Sequence, residues 1–176
     1  MNNREINRIL TSNLCTAKVF AGVYPADMMP TKPLKKRPSA FVFNTRKHNE
    51  PGEHWICIYF DKLTNTPSEY FDSYGLPPKD VFRPFLGESF IRSTVMMQHP
   101  LSSACGQYCI FYIHQKCLGK TMQQIAANFA KSTNLMENDM RVNQHVEQHF
   151  SVDLDIVDAD YIWKQLTSVD SSNIPV

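Results

Sequence analysis

The chain has 176 residues, with 18 basic and 17 acidic side chains and a formal charge of +1. That length can bury a core without disulfide or metal staples, so one domain over 1–176 is expected, and the balanced charge excludes a polycation that coats nucleic acid or membrane surfaces. Five cysteines (Cys15, Cys57, Cys105, Cys109 and Cys117) without a secretory pattern predict free thiols in a reducing, intracellular setting, and no apolar run nears the roughly 20 residues of a membrane span.

The opening "NNREINRILTSNL" puts Ile6, Ile9, Leu10 and Leu14 on one helical stripe, with Asn2 or Asn3 as the cap. Four prolines within residues 25–38 predict an extended surface loop with a basic tip at Lys32, Lys35, Lys36 and Arg37. "SAFVFNT" (39–45), "HWICIYF" (54–60) and "SEYFDSY" (68–74) are rich in aromatic and β-branched residues and predict strands, the last two joined as a hairpin. "PPKDVFRPFLG" predicts a short helix stopped or kinked near Pro84, and "RSTVMMQH" (92–99) a further strand. From Ser102 the pattern turns helical: a buried helix ending at Gly119, one opened by the Thr121–Gln124 capping box, then "NDMRVNQHVEQHF" and "DADYIWKQLTSV". This order predicts an α+β fold, a small mixed or antiparallel sheet packed against helices.

Cys105 stands where a helix should begin, and the unsatisfied backbone NH groups and positive dipole end there favour a thiolate nucleophile. Ser102, Ser103, Ala104 and Gly106 around it are small enough for a substrate backbone to approach. A thiolate needs an imidazole partner, and the imidazole an acid to orient it. His54, at the head of one predicted strand, and Asp72, near the end of the next, would meet at one sheet edge in an antiparallel hairpin. Gln98, seven residues before Cys105, could supply an amide to a developing oxyanion. Each residue taken singly also has an ordinary reading: a core cysteine, a strand-end histidine, a turn-forming aspartate, a solvated glutamine.

"GEHWICIYF", "EYFDSYG" and "QHPLSSACGQYC" together resemble the His-Trp, acid-X-aromatic-Gly and Gln-X6-Cys-Gly blocks of the adenovirus-type (adenain-like) cysteine endopeptidases. These enzymes belong to a wider clan that includes the SUMO-type and other ubiquitin-like-protein proteases. The resemblance implies Cys105 as nucleophile, His54 as general base and acid, Asp72 as its orienting acid, and Gln98 with the Cys105 NH as oxyanion hole. It implies Trp55 and Gly106 as walls of a narrow cleft for glycine-containing substrates. Capsid or scaffold precursor proteins cleaved during particle maturation, in the host nucleus or cytoplasm and in the particle, are the implied substrates of an enzyme expected to act as a monomer.

Two departures carry consequences. Adenoviral enzymes have Glu where Asp72 stands, and a peptide-tethering cysteine where this chain has Gly87, eighteen residues before Cys105. No cofactor is required by the residues; an activating peptide would bind noncovalently, and DNA would meet only Lys32, Lys35, Lys36 and Arg37, a cluster that equally reads as a solvated loop. Three other readings stand beside the endopeptidase: a ubiquitin-like-protein processing protease, a noncatalytic module binding nucleic acid or a ubiquitin-like tail, and a metal module using Cys105, Cys109, His114 and Cys117. The last is disfavoured because one continuous helix sends those side chains in different directions, so no metal is expected, and the spacing of Cys109 and Cys117 on that helix suggests core residues.

Overall fold

The computed structural model describes residues 1–31, 36–130, 132 and 134–150. The chain begins with α1 (Asn3–Ser12) and α2 (Leu14–Val19), followed by β1 (Phe20–Pro25), β2 (Ser39–Asn44), β3 (Trp55–Phe60) and β4 (Ser68–Phe71). A 3-10 turn at Asp80–Phe82 leads into α3 (Arg83–Leu86), β5 (Phe90–Arg92), α4 (Cys105–Cys117), α5 (Met122–Ala130) and α6 (Leu135–His149). The architecture is α+β, as the element order predicts.

Asn2 caps α1: its side chain accepts from the Arg4 and Glu5 amides, and Glu5 Oε2 accepts from the Asn2 amide at 2.7 Å. Ile6, Ile9 and Leu10 are buried as expected, whereas Leu14 is 84% exposed. The stripe ends early because Asn13 caps a new helix, accepting from the Cys15 and Thr16 amides and turning Leu14 outward.

The five strands lie in sequence order in one mixed sheet: β2–β3 and β3–β4 are antiparallel, and the outer pairs β1–β2 and β4–β5 are parallel. Strand alternation sorts residues onto two faces. Ala40, Val42, Cys57, Tyr59 and Phe71 pack toward α1, α4, α5 and α6, while Phe41, Phe43, Ile56, Ile58 and Tyr70 meet Phe82, Phe85 and Leu86. Every residue of α4 from Cys105 to Lys116 is buried, which makes it the central helix. Burying Lys116 and Glu69 together is tolerated because the ammonium lies 2.9 Å from the carboxylate, which also accepts from the Tyr112 hydroxyl.

The structure departs from the sequence expectations in several places. β1 lies within "FAGVYP", which carried no strand prediction. Only Arg92 of the predicted 92–99 strand is in the sheet; beyond it the Met97 and Gln98 amides both turn to the Ser73 carbonyl, at 2.8 and 3.1 Å. The helix expected from Ser102 starts at Cys105, because 102–104 form the turn that delivers it. The helix expected in "DADYIWKQLTSV" lies outside the described residues. No helix among the described residues is long and apolar enough to cross a membrane.

Candidate active site

His54 immediately precedes β3, its carbonyl accepting from the Thr45 amide at 2.9 Å, and Asp72 immediately follows β4. The antiparallel β3–β4 register, with Cys57 opposite Phe71, brings both residues to the same end of the sheet. His54 Nε2 lies 3.1 Å from Asp72 Oδ2, with 12% and 3% of the two side chains exposed. This is a charge contact more than a linear hydrogen bond, since neither buried ring nitrogen has a well-directed partner among the described residues. Catalytic hydrogen bonds are often loose before substrate binds.

Asp72 is itself held from both sides. Its Oδ1 accepts from the Tyr74 amide at 2.7 Å, its amide donates to Ser93 Oγ at 3.0 Å, and its carbonyl accepts from the Ser93 hydroxyl at 2.8 Å. Cys105, the first residue of α4, lies near enough to the His54 ring to bear on its charge. Burial alone pulls the ring down, but bonding and charge interactions with Asp72 and Cys105 outweigh it and raise His54 from 6.5 to about 9.

Tyr74, the aromatic of the acid-X-aromatic-Gly block, to which the sequence assigned no role of its own, forms the lid of this group. Its ring lies over His54 with centroids 4.9 Å apart, and its hydroxyl donates to the Ser102 carbonyl at 3.3 Å. The signal was an aromatic two residues after Asp72 in "FDSYG", readable as a turn residue alone.

Gln98 is fully buried. Its Oε1 accepts from the Ser73 hydroxyl at 2.7 Å, which fixes the amide orientation, and its Nε2 donates to the Ser102 carbonyl at 2.7 Å, with Ser102 Oγ at 3.3 Å. The amide therefore points at the turn that delivers Cys105, with one donor engaged by that turn.

A cleft of about 780 Å³ runs past Cys105, lined by Trp55, Tyr74, Ser102, Ser103 and Met1 among others. Trp55 lines it, whereas Gly106 is buried behind Met1: the Trp55 indole Nε1 donates to the Met1 carbonyl at 3.3 Å, and a Cβ on Gly106 would lie 2.8 Å from Met1 Sδ. A second cleft of about 460 Å³ opens beyond His54 and Asp72, with Leu76 and Pro77 on its wall.

Other sequence candidates lie apart from this centre. Cys109 is buried behind Cys105, but Cys117 is only partly buried at the far end of α4, so it is not the core residue its spacing suggested. His114 pairs with His145 of α6, Nδ1 to Nε2 at 2.9 Å, and no group of three or more His, Cys, Asp or Glu among the described residues is arranged to hold a metal ion. In the basic loop, Lys32 and Lys35 lie outside the described residues and Lys36 is exposed. Arg37 is occupied by the Phe60 ring, 5.3 Å from its centroid, and donates to the Asp61 carbonyl at 3.2 Å.

Fold and site together define an α+β chain with a cysteine, a histidine and an aspartate gathered beside a surface cleft. No protein-family model and no curated relative matches this sequence. Among solved structures, the ASFV pS273R protease, crystallised in selenomethionine form, is similar at 21% identity and a TM-score of 0.45, over 62% of this chain and 45% of that one. The match thus spans less than half the length of that protease.

Proposed function

We propose that this chain is a cysteine endopeptidase in which Cys105 is the nucleophile, His54 the general base and acid, and Asp72 the group that orients His54. The observation that carries the reading is the His54 ring set between the Asp72 carboxylate, 3.1 Å away, and the thiol at the start of α4. In the reaction, the His54 ring takes the Cys105 proton and the sulfur attacks the scissile carbonyl. The Cys105 amide and the Gln98 amide stabilise the oxyanion, Gln98 by redirecting a donor from Ser102. The His54 imidazolium then protonates the leaving amine, and water, deprotonated by the same ring, releases the acid from the thioester.

The sequence blocks shared with adenovirus-type endopeptidases support particle precursor proteins as substrates, cut at glycine-containing sites held between Trp55 and Gly106. They equally support action in the infected cell and in the particle. A fluorogenic peptide panel with and without glycine at the two residues before the cleaved bond tests this. Cys105→Ala should abolish turnover while the circular-dichroism spectrum is kept; cleavage persisting in that variant would sink the mechanism. Cleavage confined to peptides ending in Gly-Gly would favour the ubiquitin-like-protein processing reading.

A further inference from the structure

Away from the site, a cleft of about 470 Å³ opens where α2 meets the C-terminal end of α4. Cys15 of α2 and Cys117, the last residue of α4, both line it, and both are partly exposed free thiols. The two thiols are neighbours in that cleft, close enough for Cys15 to bear on the charge of Cys117. Cys57 and Cys109, by contrast, are enclosed in the core. Lys18, Lys62 and Lys120 share the cleft wall with the pair; Lys116 is also there, but its ammonium is committed to Glu69, and Asp61 is an acid on the same wall.

We propose that Cys15 and Cys117 are a redox-operated pair, closing to a disulfide by exchange with an anionic small-molecule disulfide of the oxidised-glutathione kind. This rests on the cleft and is independent of the endopeptidase reading. Burial, and then the neighbouring Cys15, push the Cys117 thiol up to about 12, which disfavours Cys117 as the first attacking thiolate and leaves the first step to Cys15. The Cys15 thiolate attacks one sulfur of the small disulfide, whose S–S bond breaks, and the departing thiolate takes up a proton. Cys117 then loses its proton and attacks the Cys15 sulfur. The mixed S–S bond breaks and the second small thiol leaves with that proton. Two protein thiols are oxidised by two electrons, and one disulfide is reduced to two thiols. The lysines raise the local concentration of the carboxylate-bearing oxidant, an effect that salt screens.

The test exposes folded full-length protein carrying Cys105→Ser to oxidised glutathione and maps its peptides by mass spectrometry. The expected result is a linked Cys15–Cys117 peptide pair, lighter by two hydrogens and released by dithiothreitol. Cys117→Ser should instead retain one glutathionyl group on Cys15, and Cys15→Ser should leave Cys117 largely unmodified. Failure to form the linked peptide, or stable glutathionylation of both cysteines in the parent, would overturn the pair. Oxidised glutathione should react faster than the neutral hydroxyethyl disulfide at low salt, the difference shrinking in about 1 M salt. Equal rates would overturn the anionic ligand class.

Discussion

Asp72 divides its carboxylate between two duties, Oδ1 accepting from the Tyr74 amide at 2.7 Å and Oδ2 facing His54 Nε2 at 3.1 Å. The same side chain thus shapes the turn that carries the lid residue and fixes the ring beneath it. Replacing it with Asn keeps much of the turn but removes the charge, and should lower kcat/KM by roughly 10²–10⁴-fold without abolishing turnover. Steady-state kinetics on the best peptide of the panel gives the answer.

The raised His54 ring also sets a stability profile. A folded-state value near 9 against 6.5 unfolded means that the ring's contribution is fully present below about pH 6.5 and is lost as pH rises through about 9. The loss should be on the order of 3 kcal/mol, read as a fall in urea midpoint between about pH 6 and about pH 10. His54→Gln and Asp72→Asn should both flatten that fall.

Much of this centre was legible in the sequence. Strand alternation and a single hairpin suffice to bring His54 and Asp72 to one edge, and the helical pattern expected from Ser102 sets Cys105 near a helix N-terminus. The packing of Tyr74 over His54 was not legible, because it depends on Asp72 Oδ1 turning the backbone over the ring. Nor was the course of residues 93–99: their apolar, β-branched character reads as a strand, yet the Met97 and Gln98 amides turn to the Ser73 carbonyl. The departure of Cys117 from the core escaped for a similar reason, since helical spacing does not show that α2 ends its cover there.

Gln98→Ala should separate two effects. Loss of an oxyanion donor predicts a fall in kcat of roughly 10²–10³-fold. The Ser73 hydroxyl and Ser102 carbonyl also lose their buried partner, at a cost of about 1–3 kcal/mol in urea unfolding. Alkylation of Cys105 by iodoacetamide needs no oxyanion hole and should stay within a small factor of the parent rate.

α6 braces the same loop. Asp139, 3% exposed, accepts from the Tyr108 hydroxyl at 2.9 Å and lies 3.3 Å from the His99 amide, while Asn138 Nδ2 donates to the Met97 carbonyl at 3.1 Å. These bonds hold the residues on either side of Gln98. Asp139→Ala should destabilise by about 1–3 kcal/mol and lower kcat more than it raises KM; Asp139→Asn, which keeps an acceptor, should recover most of both. Paired denaturation and kinetic measurements check this.

Gly75 closes the Asp72 turn, its amide donating to the Asp72 carbonyl at 3.0 Å with φ at +70°. A Cβ there would lie 2.8 Å from the Thr94 carbonyl carbon. Gly75→Ala therefore meets both a left-handed backbone and a backbone clash, and should cost at least about 1–2 kcal/mol in thermal unfolding. The displaced turn should bring the His54 ring back toward its ordinary value, measured by NMR titration.

Met1 stands where a glycine segment is proposed to bind, its carbonyl on the Trp55 indole and its sulfur over Gly106. An incoming peptide therefore competes with a resident held on its own chain. The affinity recorded for any substrate is its intrinsic affinity scaled by the fraction of molecules in which Met1 has withdrawn. Loosening that hold would tighten substrates without adding a single contact to them.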